Sequence, residues 1–168
     1  MAVLPILRHP HPLLRRVALP VEDFGPATHS LAEDMLHTMY DATGRGLAGP
    51  QVGVLRRIFV MDVGWKEGER DPVVCVNPEI LGASGRVEAG VEGCLSIPGL
   101  PLEINRPAEI TLRWADADGT VQTRTLTGAT ARCAQHELDH LNGRLILDLL
   151  DEPARQAAAQ RLIAMGCG

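Results

Sequence analysis

Aromatic residues are scarce in this chain of 168 residues, since two Phe, two Trp and one Tyr make up only 3% of it. Hydrophobic residues nevertheless reach 45%, so a core of Leu, Ile, Val and Ala can form and a disordered chain is excluded. A domain contains roughly 150 residues. We therefore expect residues 1–168 to form a single domain.

The chain also lacks the features of membrane and nucleic-acid-binding proteins. No apolar run approaches the roughly 20 residues of a membrane span, and the first residues, Met1 to His9, lack the long apolar stretch of a secretory signal. Lys and Arg (16) are outnumbered by Asp and Glu (21), which excludes binding to a nucleic-acid backbone as the main role. We expect a cytoplasmic protein with no membrane contact and no direct DNA contact.

Cysteines are too few and too widely spaced for a disulfide framework. The four are Cys75, Cys94, Cys133 and Cys167, and in a cytoplasmic protein they are expected to be reduced. Cys75 and Cys133 are interpreted as buried structural thiols, and Cys167 as an exposed residue near the terminus. A free thiol close to histidines is a candidate metal ligand or nucleophile.

The spacing of apolar residues and turn formers predicts an α+β fold. Thr28 or Ser30 is expected to cap the first helix, and Asp118-Gly119 is expected to form a hairpin turn. We expect mixed or antiparallel sheets packed around a central helix, with one helix near each end of the chain. The predicted elements are an extended arm (1–25), helices over 30–43, 129–142 and about 152–165, and strands over 58–63, 73–76, 109–114 and 120–126.

The strongest single motif is His-Glu-Leu-Asp-His at residues 136–140. Positions four apart on a helix lie about 40° apart around its axis, so His136 and His140 project from one face. They can hold one metal ion, and Glu137 can reach a water molecule bound to that ion. Apolar residues flank the motif, which indicates a buried helix whose imidazoles and carboxylates need partners.

A third ligand must come from elsewhere in the chain. Ile146 occupies the position of the third histidine in one metallopeptidase pattern, and Glu152 lies too close to the motif for another. Cys94 is the natural candidate, because it lies in a segment bounded by Gly and Pro that suits projection into a site. One thiolate and two imidazoles leave a fourth position open, as a catalytic site requires.

A glycine-rich segment, residues 44–53, forms the third cluster. Its four glycines let the backbone approach a ligand, and the Gln51 amide can stabilise an oxyanion. It is not a phosphate-binding loop, since Lys followed by Ser or Thr is missing. Taken alone, it is typical of a flexible helix-to-strand loop.

These three segments, in this order, resemble the motifs of the peptide deformylases. Residues 44–51, 92–96 and 135–141 correspond to the family's Gly-x-Gly-Leu-Ala-Ala-Pro-Gln, Glu-Gly-Cys-Leu-Ser and Gln-His-Glu-x-Asp-His-Leu motifs. The likeness extends across nearly the whole chain. It implies a monomeric hydrolase that removes the formyl group from N-formylmethionine of nascent polypeptides, at the ribosome, and releases formate.

The resemblance also implies a role for each motif residue. Cys94, His136 and His140 hold the metal, which in this family is Fe²⁺, with Zn²⁺, Ni²⁺ or Co²⁺ as substitutes. Glu137 acts as general base and then as general acid. The remaining residues face the substrate: Gln51 and the Leu95 N–H form the oxyanion hole, and Gly46, Arg45 and Gly93 bind substrate.

Two positions depart from the family pattern. Gly49 stands where the family usually has Ala, which is expected to loosen the loop that holds Gln51. Arg45 stands in a position that is often aliphatic, near the substrate entrance, and is expected to alter the side-chain preference.

Several residues around the motifs have two interpretations. Glu92, Arg106 and Asp139 either orient the ligands or form surface salt bridges. A second set lines a pocket for the methionine side chain or belongs to the core: Ile97, Leu100, Leu126 and Cys133.

Three alternatives to an active deformylase stay open at this point. The first is a zinc metallopeptidase that uses the same helix with a different third ligand. The second is a closed structural metal site, in which Cys133 is the fourth ligand if the helix unwinds locally. The third is a deformylase-like paralogue with low activity because of Gly49 and Arg45.

Overall fold

The computed structural model describes residues 1–166. In these residues seven strands form two antiparallel sheets, and the second of three α-helices lies between the sheets. The α+β prediction is confirmed. Among the helices of these residues, none combines the length and the hydropathy of a membrane span. The elements are α1 (Pro26–Asp41), β1 (Gly46–Ala48), β2 (Ile58–Met61), β3 (Val73–Ala83), β4 (Val87–Cys94), β5 (Ile97–Pro107), β6 (Glu109–Ala115), β7 (Val121–Thr127), α2 (Gly128–Leu141) and α3 (Glu152–Ala164).

The larger sheet has five strands in the order β1-β2-β3-β6-β7, and the smaller sheet is the hairpin β4–β5. The predicted pairing of β6 with β7 is confirmed, with Trp114 opposite Gln122. The turn between them requires glycine, because Gly119 has a φ of +86°. Alternate residues of β6 face the core, namely Ile110, Leu112 and Trp114.

Helix α1 begins four residues earlier than predicted. Gly25 is its N-cap and Pro26 its first residue, a position that suits the fixed φ of proline. The predicted caps Thr28 and Ser30 are therefore wrong, since both lie inside the helix. The Thr28 hydroxyl instead donates to the Asp23 carbonyl at 2.6 Å, which ties the helix to the preceding chain.

Strands β1, β4 and β5 were not predicted, because their sequences hide the usual alternation. In β4 the buried side includes Glu92 and Cys94, whereas Val87 and Val91 are exposed. In β5 three prolines and a glycine resemble a loop, although Leu100, Leu102 and Ile104 alternate inward. Strand β3 also extends seven residues beyond its predicted end, to Ala83.

Helix α2 lies between the two sheets and positions the site. Ala131, Ala134, Leu138 and Leu141 pack into a core cluster with the five-stranded sheet. A second cluster joins Cys94 and the inward residues of β5 to α3 and the segment before it. The motif side chains therefore point from α2 into the space beside β4 and β1.

The cysteines that the structure describes are free thiols, as expected. Cys75 is buried in β3, and burial raises the pKa of its thiol. Cys133 lies on α2, where its thiol donates to the Arg45 carbonyl at 3.7 Å. Cys167, predicted to be exposed, lies outside the described residues.

Candidate active site

Three metal-ligating side chains lie together at the centre of the fold. The Sγ of Cys94 is 3.4 Å from Nε2 of His140, and that nitrogen is 3.3 Å from Nε2 of His136. The three ligand atoms lie within 4.8 Å of one another, and all three residues are buried. One sulfur and two imidazole nitrogens are a donor set that Fe²⁺ and Zn²⁺ accept, so these residues fit a transition-metal ion.

The two imidazoles converge because they are one turn apart on α2, as the spacing predicts. Cys94 joins them because it ends β4 on the side facing α2. Glu92 lies two residues earlier on the same face of that strand, since side chains alternate along a strand. One strand thus supplies both a ligand and a carboxylate to the site.

That carboxylate orients the ring of His136. Oε1 of Glu92 lies 2.8 Å from Nδ1 of His136, which leaves Nε2 facing Cys94 and His140. Arg106 donates to both Glu92 oxygens, at 2.6 and 2.9 Å, and to Asp139 at 2.9 Å. Burial alone would raise the pKa of Glu92, but its bonds to His136 and Arg106 lower it to about 2. The orienting interpretation of Glu92, Arg106 and Asp139 therefore replaces surface salt bridging.

A second arginine completes this network and was missed from the sequence. Arg132 donates from Nη1 to Glu92 at 2.9 Å and to the Ile104 carbonyl at 2.8 Å. Its Nη2 donates to the Glu88 carbonyl at 2.8 Å. Arg132 precedes His136 by four residues and so shares its helix face, which is the signal that identifies it.

His140 lies on the next turn of α2 and directs its Nε2 towards Cys94 Sγ and His136 Nε2. Burial, followed by the charge of His136, holds the pKa of the His140 imidazole well below its usual range. A lowered pKa favours the neutral imidazole, which is the form that can bind a metal ion.

Glu137 is a buried carboxyl group beside the three ligands. Its Oε2 has no hydrogen-bond partner within residues 1–166, and burial raises its pKa to about 7. Its Oε1 lies against Gly46, where an added Cβ would be only 2.4 Å away. A carboxyl group with an unpartnered oxygen and a pKa near neutrality is suited to exchange protons with a bound molecule.

The Gln51 side chain is held beside Cys94 by two hydrogen bonds. The Ala48 N–H donates to its Oε1 at 2.9 Å, and its Nε2 donates to Ser96 Oγ at 3.1 Å. The same nitrogen lies 3.8 Å from Cys94 Sγ. Gln51 is 1% exposed, so the interpretation of this segment as a flexible loop is wrong. The carboxamide N–H₂ group is aimed at the metal-ligand group.

Gly49 packs tightly and does not loosen that segment. A Cβ at this position would lie 2.7 Å from the Val54 carbonyl oxygen and 2.8 Å from that of Arg56. The Val54 N–H donates to the Gly49 carbonyl at 3.0 Å. The absence of a side chain lets residues 54–56 approach the turn that carries Gln51, which contradicts the expected loosening.

A cleft of about 920 Å³ opens beside the ligand group. Ile97, Leu100 and Cys133 line it, as the pocket interpretation expects. Leu126 does not line it, because β7 directs this side chain to the core cluster under the larger sheet. Leu95 and Gly93 also line the cleft, next to Cys94.

Arg45 lies at the edge of this cleft with its charge already paired. Its guanidinium donates to Glu67 at 2.5 and 3.0 Å and to the Val63 carbonyl. Trp65 of the same loop donates to the Gly44 carbonyl at 2.8 Å. Arg45 thus joins the loop after β2 to the cleft wall.

Comparisons with known proteins identify the family of this chain. Residues 3–156 match the family described as polypeptide deformylase. A peptide deformylase from Alkalilimnicola ehrlichii is 47% identical over 162 residues, which cover 96% of this chain and 90% of that protein.

The chain belongs to the polypeptide deformylase family. The crystal structure of a peptide deformylase from Legionella pneumophila has a TM-score of 0.90 and 39% identity, covering 98% of this chain and 96% of that one. The crystal structure of a peptide deformylase from Synechococcus elongatus in complex with actinonin has a TM-score of 0.93 and 35% identity. The match covers 100% of this chain and 90% of that one.

Family membership makes this chain a metal-dependent hydrolase of the deformylase class and leaves the peptidase alternative without support. A closed structural site is also not what the fold provides. Helix α2 is continuous from Gly128 to Leu141, and the Cys133 thiol points to the Arg45 carbonyl. Within residues 1–166, three residues rather than four form the ligand group.

Proposed function

We propose that this deformylase removes the formyl group from N-formylmethionine at the start of nascent chains, with Fe²⁺ as its metal, and that residues 1–168 form one catalytic domain. The observation that carries the proposal is the buried Glu137 carboxyl group with an unpartnered oxygen beside a three-residue ligand group. The donor set supports the metal, because one thiolate among imidazoles favours a softer ion such as Fe²⁺. Zn²⁺, Ni²⁺ and Co²⁺ are possible substitutes.

Cys94, His136 and His140 would hold the ion. When bound, such an ion supplies Lewis-acid activation of water and of the formyl oxygen. The Glu92 carboxylate, itself bonded to Arg106 and Arg132, holds Nδ1 of His136. The Nε2 of that ring therefore keeps one direction through the reaction.

Glu137 moves the proton. Its carboxylate accepts a proton from the attacking water as the new C–O bond forms at the formyl carbon. The protonated Glu137 then gives that proton to the leaving amine nitrogen as the C–N bond breaks. Formate and a peptide with a free amino group are the products.

The Gln51 amide and the Leu95 N–H stabilise the oxygen that becomes negative in the tetrahedral transition state. The structure supports this role for Gln51, because its Nε2 lies 3.8 Å from Cys94 Sγ and its Oε1 is anchored by Ala48. Removing one donor of this kind typically costs about 3–4 kcal/mol.

The cleft beside the ligand group receives the substrate. Gly46 and Gly93 allow the peptide backbone to approach, and Ile97, Leu100 and Cys133 provide a wall for the methionine side chain. Arg45 contributes to the entrance with its charge neutralised by Glu67, so its effect on peptide preference is small.

One chain supplies every proposed ligand, proton carrier and oxyanion donor, which supports a monomer as the working unit. Nascent formylated chains emerge from ribosomes, so the enzyme works in the cytoplasm and needs no membrane or DNA contact.

The test uses anaerobically purified, iron-loaded enzyme and the peptide formyl-Met-Ala-Ser. We expect formate and Met-Ala-Ser in equal amounts. Formation of formyl-Met and Ala-Ser would instead identify a peptidase, and the absence of either reaction would refute the proposed function.

A further inference from the structure

Residues 3–9 of the N-terminal arm contact both segments that carry the proposed oxyanion donors. The Leu7 N–H donates to the Gln51 carbonyl at 2.7 Å, and the His9 N–H donates to the Ser96 carbonyl at 2.8 Å. Gln51 follows β1, whereas Ser96 lies in the turn between β4 and β5. Two backbone hydrogen bonds from Leu7 and His9 of the extended arm thus connect a segment next to the larger sheet with the turn of the smaller sheet.

The arm is itself anchored on both sides. Leu4 and Ile6 pack against the core cluster that also contacts Leu95, and Leu7 packs against the cluster that contains Cys94. The Leu4 N–H donates to Thr38 Oγ1 on α1 at 2.8 Å. These contacts keep the arm in place when a substrate enters the cleft.

The backbone bonds from the arm are one of two links between the Gln51 segment and the Ser96 segment. The side-chain bond from Gln51 Nε2 to Ser96 Oγ, at 3.1 Å, also connects them. That bond depends on the orientation of the same amide group that would donate its second N–H to a developing oxyanion. When Gln51 binds the substrate oxygen, the backbone bonds from the arm are still in place to hold the separation.

We propose that Leu7 is a positioning residue for deformylation, because its N–H fixes the main chain at Gln51 while His9 fixes that at Ser96. The inference rests on the proposed oxyanion role of Gln51. The arm sets the distance between the Gln51 carboxamide and the Leu95 N–H, so it acts on the transition state through those two donors.

Loss of the Leu7 N–H is expected to lower kcat with little change in KM, since the oxyanion exists only in the transition state. Deleting an oxyanion donor costs about 10²–10³-fold in kcat, so displacing one is expected to cost about 10-fold. A merely structural loss would instead lower the midpoint of thermal unfolding or the iron content.

The experiment compares Leu7→Pro, which removes the N–H, with Leu7→Ala, which keeps it and loses more of the side chain. We expect about a 10-fold lower kcat for Leu7→Pro than for Leu7→Ala, with KM within about twofold. Equal kcat values for the two variants would overturn the inference. If Leu7→Pro fails to fold, the α-hydroxy analogue of leucine is introduced at position 7 during in vitro translation, which removes the N–H alone. The same loss of about 10-fold in kcat is expected for this variant.

A double-mutant cycle separates failure of this inference from failure of the proposed function. In a Gln51→Ala background, the Leu7→Pro change is expected to alter kcat by at most about twofold, because its target is gone. A full 10-fold loss in that background would show that Leu7 acts elsewhere. Unchanged kcat in Gln51→Ala alone would refute the proposed role of Gln51 itself.

Discussion

Replacing Glu137 by glutamine is expected to lower kcat for formate release by about 10³-fold, within the range for loss of a general acid–base group. Glutamine has the same shape but cannot accept the proton from water. The ligands Cys94, His136 and His140 are unaltered, so the iron content is expected to stay at about one ion per chain. The measurements are kcat for formyl-Met-Ala-Ser and iron per chain on the same preparation.

Glu103→Gln is the matched control, because it makes the same chemical change on an exposed residue of β5. It is expected to leave kcat unaltered. Wild-type activity in Glu137→Gln would refute the assigned base, whereas parallel loss of iron and activity would show that Glu137 serves the metal site rather than the proton transfer.

Replacing Gly46 by alanine is expected to reduce kcat by about 10²-fold, the effect of displacing a reacting group by roughly 1 Å. The new Cβ would lie 2.4 Å from Oε1 of Glu137 and 2.9 Å from Sγ of Cys133. Real Cβ atoms do not approach so closely, so either the carboxyl group turns away or β1 separates from α2. Both changes move Glu137 relative to the metal ligands.

Gly82→Ala serves as the control for this variant, since it is the same substitution in a strand with no atom within 4 Å of the new Cβ. Both kcat and the midpoint of thermal unfolding are to be measured for the two variants. Equal kcat in Gly46→Ala and Gly82→Ala would mean that the close contact with Glu137 has no part in the chemistry.

The sequence was sufficient to predict the elements whose side chains alternate in the usual way. The helix that carries residues 136–140 and the hairpin β6–β7 were predicted to within about one residue, because apolar spacing and a turn glycine marked them. The start of α1 was misplaced because Pro26 and Gly25, rather than a Ser or Thr cap, begin the helix.

The elements nearest the site were the hardest to predict, since the site reverses the usual pattern. Strand β4 turns Glu92 inward, where His136 and two arginines neutralise it, and leaves Val91 70% exposed. Charged residues on the inner face of a strand look like surface residues until their partners are known. Arg132 on α2 was missed because it too looks like a surface residue until its partner Glu92 is known.

The close approaches in the site could not be predicted from spacing at all. The tight contact of Gly49 with the Val54 carbonyl oxygen depends on how the chain folds back on itself within residues 49–54. The expectation that this glycine loosens the Gln51 segment considered only backbone entropy. Packing decides the outcome in the opposite direction.

The central claim is that a sulfur atom from β4 and two imidazoles from α2 hold one catalytic ion, and the most direct test is to count iron in Cys94→Ala. Anaerobically purified wild type and Cys75→Ala, which removes a buried thiol outside the ligand group, are expected to carry about one iron per chain. Cys94→Ala is expected to carry less than about 0.1, with formate release lost in proportion. A full complement of iron in Cys94→Ala would contradict the account.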